Sequence, residues 1–121
     1  MAKLAMGELE AVVMDVLWDA SDPLTPGQVH EVLSAERPLA YTTVMTILAR
    51  LWRKGRLERE QRGRAYAYRP LLSREAYAAS RMDEVLGGTK DRPLALSYFV
   101  ANLKPGDRAR LRRLVNGDKR R

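Results

Sequence analysis

A chain of 121 residues with 45% hydrophobic content has room for one compact domain and a small appendage, and its composition is that of a folded protein. It contains no cysteine, which excludes disulfides and thiolate metal sites, and no apolar run of signal-peptide or membrane-spanning length, so a cytoplasmic location without a membrane partner is expected. The net charge of +7 is concentrated: residues 50–69 hold eight basic side chains against Glu58 and Glu60, a net +6, which suits a surface that displaces counterions from phosphates.

Met6, Leu9, Val12, Val13, Val16 and Leu17 recur at helical spacing and predict a first helix over 7–19, with Trp18 closing its core face. Glu8, Glu10 and Asp15 read as solvated charges on that helix. Ser21-Asp22-Pro23 breaks it. Thr25-Pro26-Gly27-Gln28 then has the form of a helix start: a threonine cap, proline at the first helical position, and glutamine three residues after the cap. Val29, Val32 and Leu33 are the expected buried stripe of this second helix, which ends near Ser34.

A third helix is predicted over 41–54, ended by Gly55. At about 100° per residue, Val44, Ile47, Leu48 and Leu51 share one face, and Thr42, Thr46, Ala49 and Arg53 the opposite one. Met45 and Arg50 lie on the flanks, and no acidic residue occurs between Arg37 and Glu58. Residues 57–61 and 65–69 read as two strands around Arg62-Gly63, with Tyr66 and Tyr68 on one side of the second.

Ser73 caps a predicted fourth helix carrying Ala78, Ala79, Met82, Val85 and Leu86, stopped by Gly87-Gly88. Pro93 opens a fifth with Leu96, Phe99, Val100 and Leu103 on one face. Pro105 and Asp107 begin a sixth with Leu111, Leu114 and Val115, and the tail at 119–121 is expected to fray. The fold class is therefore mainly α with a small β wing: a winged helix-turn-helix DNA-binding domain over 1–71, then a helical dimerisation region over 72–121. The later helices have apolar stripes but little local material to bury them. Pairing with a second copy through Met82, Leu86, Leu96, Phe99, Val100 and Leu103 is the favoured solution, and folding back on the winged domain the other.

The second helix of a helix-turn-helix enters the major groove with its N-terminal residues at base edges, which assigns Thr42, Met45 and Thr46 to bases. Thr43, Arg50 and Arg53 are assigned to phosphates, and Arg62 and Arg64, flanking the wing tip, to the backbone or the minor groove. The competing reading makes the threonines ordinary surface residues of a winged helix protein-interaction module with only non-specific DNA affinity. Enzymatic readings have little support. His30 is the only histidine and has no partner at metal-ligand spacing, and no nucleophile has a base-and-orienter set, so neither an active site nor a cofactor or metal is expected.

Thr43, Thr46, Arg50 and Leu51 match a Thr-x-x-Thr-x-x-x-Arg-Leu pattern, Tyr66 and Tyr68 an aromatic-x-aromatic wing strand, and the run from Gly7 to Trp18 a Glu-x-x-Val-Met-x-x-x-Trp pattern. On these motifs and the paired glycines Gly87-Gly88, the chain over about 5–115 resembles the penicillinase repressor family of BlaI, MecI and CopY type. The resemblance implies a homodimeric repressor on inverted-repeat double-stranded DNA operators upstream of resistance or stress genes. It also implies, for β-lactam-responsive members, a membrane metalloprotease sensor whose signal leads to cleavage at an Asn-Phe bond. The matching stretch here, Leu-Ala-Leu-Ser-Tyr-Phe at 94–99, places that bond at Tyr98–Phe99, with tyrosine in the position of asparagine. The cysteine motif of the copper-responsive branch is missing, which excludes copper sensing by thiolates.

Overall fold

The computed structural model describes residues 5–117, and the fraying expected at 119–121 lies outside them. The element order is α1 (Met6–Asp19), α2 (Pro26–Ser34), α3 (Tyr41–Arg53), β1 (Leu57–Arg62), β2 (Ala65–Pro70), α4 (Arg74–Gly87), α5 (Arg92–Ala101) and α6 (Pro105–Val115). This is the mainly helical class with a β wing that the sequence predicts. The chain divides into two units, Met1–Ala78 and Ala79–Arg121.

In the first unit, local chemistry sets the helix ends. The Thr25 hydroxyl accepts from the Gln28 N–H at 3.3 Å and the Gln28 side chain accepts from the Thr25 N–H at 2.9 Å, so each residue satisfies a donor that the start of α2 would otherwise strand. At the end of α3, Gly55 takes φ 76°. Its N–H donates to Trp52 O and that of Arg56 to Leu51 O, both at 3.0 Å, the paired bonds of a Schellman turn. That turn aims β1 back along the helix it has just left.

The core forms where three helical stripes meet. Val44, Ile47, Leu48 and Leu51 of α3 are fully buried, the face that the periodicity predicts. On α1 the buried line is Glu10, Val13, Met14 and Leu17, while Leu9, Val12 and Val16 pack at its margin and Met6 is exposed. Glu10 is thus not the solvated charge expected from its type. It lies on the helical line of Val13, Met14 and Leu17 and is 1% exposed. Val32 also departs from expectation, at 53% exposed. Pro26, Val29 and Leu33 are the buried residues of α2, and Val32 lies about 90° around the helix from their centre.

β1 and β2 pair antiparallel from Leu57↔Pro70 to Arg62↔Ala65. Gly63, with φ 63°, takes the first of two loop positions, where a II′ hairpin turn places glycine. Leu24 adds a single antiparallel bridge to Tyr68, exchanging hydrogen bonds of 2.9 and 2.8 Å. Trp18 and Tyr77 stack edge to face at 5.3 Å, and the Trp18 indole N–H donates to Leu72 O at 3.0 Å. The first turn of α4 thereby closes the core of this unit.

In the second unit, Asp91 caps α5 by accepting from the Leu94 N–H at 3.1 Å. Arg108 of α6 donates to the Val100 and Ala101 carbonyls at the end of α5, at 3.1 and 3.2 Å. Neither α5 nor α6 contributes a buried residue. Met82, Val85, Leu96, Tyr98, Phe99 and Val100 are all exposed.

Candidate nucleic-acid interface

Burying Val44, Ile47, Leu48 and Leu51 leaves the opposite side of α3 facing solvent. Thr42, Met45, Thr46 and Arg53 are exposed there, with Thr43, Ala49 and Arg50 half-buried beside them. The Thr46 hydroxyl donates to the Thr42 carbonyl at 2.9 Å. Its proton is committed to the helix, so toward a base edge it offers acceptor lone pairs and a methyl group. Arg62 and Arg64 are both exposed, one on each side of Gly63 at the wing tip. Arg62 also reaches Pro23 O at 3.2 Å, which ties the tip to the loop between α1 and α2.

The eight basic residues of 50–69 do not play equal parts. Lys54 sits 3.0 Å and Arg56 3.5 Å from the buried Glu10 carboxylate, and Arg69 is paired with Glu58. Lys54 and Arg56 tie the turn between α3 and the wing to α1, and Arg69 pairs across the two strands of the wing. The Arg56 guanidinium lies over the Tyr77 ring at 5.2 Å, so its charge faces a carboxylate on one side and an aromatic face on the other. Arg50, Arg53, Arg62 and Arg64 remain on the outer surface with Arg59.

Sequence reasoning gave no individual site role to four residues near this surface: Glu10, Trp52, Arg59 and Tyr66. Glu10 holds the cations on both sides of Gly55. The Arg59 guanidinium lies 3.6 Å from the Trp52 ring centre and 3.9 Å from that of Tyr66. Trp52 follows Met45 by seven residues, about two helical turns, and so continues its line along α3; that spacing was a usable signal. Elsewhere, His30 packs edge to face on Tyr41 at 5.9 Å, and among the described residues no group of three His, Cys, Asp or Glu could hold a metal. No helix among the described residues is long and apolar enough to cross a membrane.

Residues 6–117 match the penicillinase repressor family. This chain belongs to that family. Within it, the chain is 44% identical over 119 residues to the transcriptional regulator BlaI of Mycobacterium tuberculosis in each of two strains, covering 95% of this chain and 86% of the relative. The solved DNA-binding domain of the repressor BlaI superposes with a TM-score of 0.53 at 30% identity, over 64% of this chain and 94% of that domain. The winged-helix fold of the family member is therefore shared with a solved relative, and the family resemblance carried by Thr43, Thr46, Arg50, Leu51, Tyr66 and Tyr68 is borne out.

Proposed function

We propose that this chain is a homodimeric transcriptional repressor that binds inverted-repeat operator DNA through α3 and the wing. One observation carries the reading. The exposed line Thr42, Met45, Thr46 runs without an acidic residue into Arg50 and Arg53, beside the wing arginines Arg62 and Arg64. A groove reader needs that order, with small hydrogen-bonding groups at the N-terminal half of the helix and cations flanking them. Membership of a repressor family and likeness to a transcriptional regulator support it.

In this reading Thr42, Met45 and Thr46 face base edges, while Thr43, Arg50, Arg53, Arg62 and Arg64 hold phosphates. Residues 1–71 bind DNA and 72–121 pair two copies. The exposed Met82, Leu96, Phe99 and Val100, with half-buried Leu86 and Leu103, supply apolar surface for the pairing. Two recognition helices would then meet half-sites about one DNA turn apart, roughly 34–36 Å. Release by proteolysis falls at Tyr98–Phe99, residues 64% and 48% exposed on α5; local unwinding would present the bond to a protease.

Selection of bound duplexes from a random-sequence library tests the reading. The parent should enrich an inverted repeat, Thr46→Ala should change the preferred half-site, and Arg50→Ala should weaken all duplexes alike and reduce the salt slope by about one. Enrichment of no repeat by the parent, or parental preference and slope in both variants, would overturn it.

A further inference from the structure

The Trp52–Arg59–Tyr66 stack joins an exposed position of α3 to both strands of the wing. Trp52 and Tyr66 are 38% and 41% exposed, and Arg59 between them is half-buried. The guanidinium has an aromatic ring over each face, at 3.6 and 3.9 Å. Its five N–H donors lie in its own plane, so with both faces covered they are directed only outward around the rim. Among the described residues Arg59 has no ion pair; Glu58, next to it in β1, points to the other face of the hairpin, where it pairs with Arg69.

Three consequences follow from that geometry. The rings restrict the side chain's rotamers, so little further freedom is lost when the rim binds something. The rim retains its donors, since the ring contacts use faces and not N–H groups. A planar fork of this kind matches an acceptor with two oxygens, such as a phosphate, and lysine could not reproduce it. The position fits as well: Trp52 continues the line of Met45 along α3, and Arg59 and Tyr66 belong to the two wing strands, so the stack sits where the proposed groove-facing side of α3 meets the wing.

We infer that Arg59 is an anion clamp, preorganised by Trp52 and Tyr66, that takes a backbone phosphate of double-stranded DNA in the crease between α3 and the wing. This rests on the DNA-binding function proposed above, and it adds a contact made neither by the base-facing threonines nor by the wing-tip arginines. If the stack only fastened the wing to α3, Arg59 would have no part in counterion release.

The test is a salt titration of binding to a mixed-sequence 40-bp duplex, about 50 to 200 mM, with the parent, Arg59→Met and Arg59→Lys. Methionine keeps an apolar stem between the rings but carries no charge, so its salt slope should fall by about 0.9; over a fourfold rise in salt the parent then loses roughly 3.5-fold more affinity than the variant. Arg59→Lys keeps the charge without the fork, so it should bind more weakly at every salt with the parental slope. The Arg59 Nε–H resonance of the parent, followed as the same duplex is added, gives a second readout that needs no substitution and should shift. A parental slope in folded Arg59→Met, or an unmoved Arg59 resonance in duplex-saturated parent, overturns the clamp. A parent with no affinity for the duplex at 50 mM salt overturns the DNA-binding function itself, and the clamp falls with it.

Discussion

Glutamate at position 10 supports the sharpest stability prediction. Its side chain is 1% exposed, with Lys54 at 3.0 Å and Arg56 at 3.5 Å, and the Arg56 side chain is itself only 6% exposed. In Glu10→Gln the amide can still accept a hydrogen bond, but the negative charge facing two cations is gone. Removing one partner of a buried ion pair costs about 3–5 kcal/mol. Lys54 is 29% exposed and can turn toward water, so the lower end, about 3 kcal/mol, applies. At about 4 °C per kcal/mol that lowers Tm by roughly 12 °C. Glu10→Met combined with Arg56→Met removes carboxylate and guanidinium together; it should stay within about 1.5 kcal/mol of the parent, part of that being the lost stacking on Tyr77. Urea unfolding followed by tryptophan fluorescence at fixed protein concentration measures both. A Glu10→Gln loss under about 1 kcal/mol, or a double variant as unstable as the single one, refutes the account of Glu10 as counter-charge to a buried arginine.

Gly55→Ala should cost about 1–2 kcal/mol in the same assay, because φ 76° is unfavourable for any residue with a Cβ although nothing lies within 4 Å of the place that atom would occupy. Thr25→Ala removes one half of the α2 capping box and should cost about 1 kcal/mol, read as a shift in urea midpoint with unchanged m-value. Sedimentation equilibrium at micromolar concentration should give twice the 13.7 kDa chain mass, and a 13.7 kDa species with and without DNA would refute the pairing of α4 to α6.

Features carried by near neighbours in the chain could be read from the sequence. The buried face of α3, the Thr25-Pro26-Gln28 start of α2 and the glycines that end α3 and turn the wing each depend on residues within about two helical turns. What escaped depends on distant partners. Glu10 reads as a surface charge until α3 and the Gly55 turn bring Lys54 and Arg56 against it, 44 residues farther on in the case of Lys54. Val32 reads as core because it is apolar, yet how far a nine-residue helix turns its stripe is fixed by the helices it packs on. Within the candidate interface, the outward side of α3 followed directly from the inward one. The stack on Arg59 did not, since it needs the strand register that brings Tyr66 near Arg59 and the turn that lays both beside Trp52.

No residue of α5 or α6 is fully buried within one chain. Any pairing that covers their apolar sides is second order in the number of chains, whereas the winged unit has a core of its own. At concentrations below the dissociation constant of such a pairing, halving the supply of chains cuts the paired form about fourfold, and operator occupancy falls with it. Synthesis and breakdown of the regulator would then act as a steep dial on transcription, and a cell could change the setting without altering any atom that touches DNA.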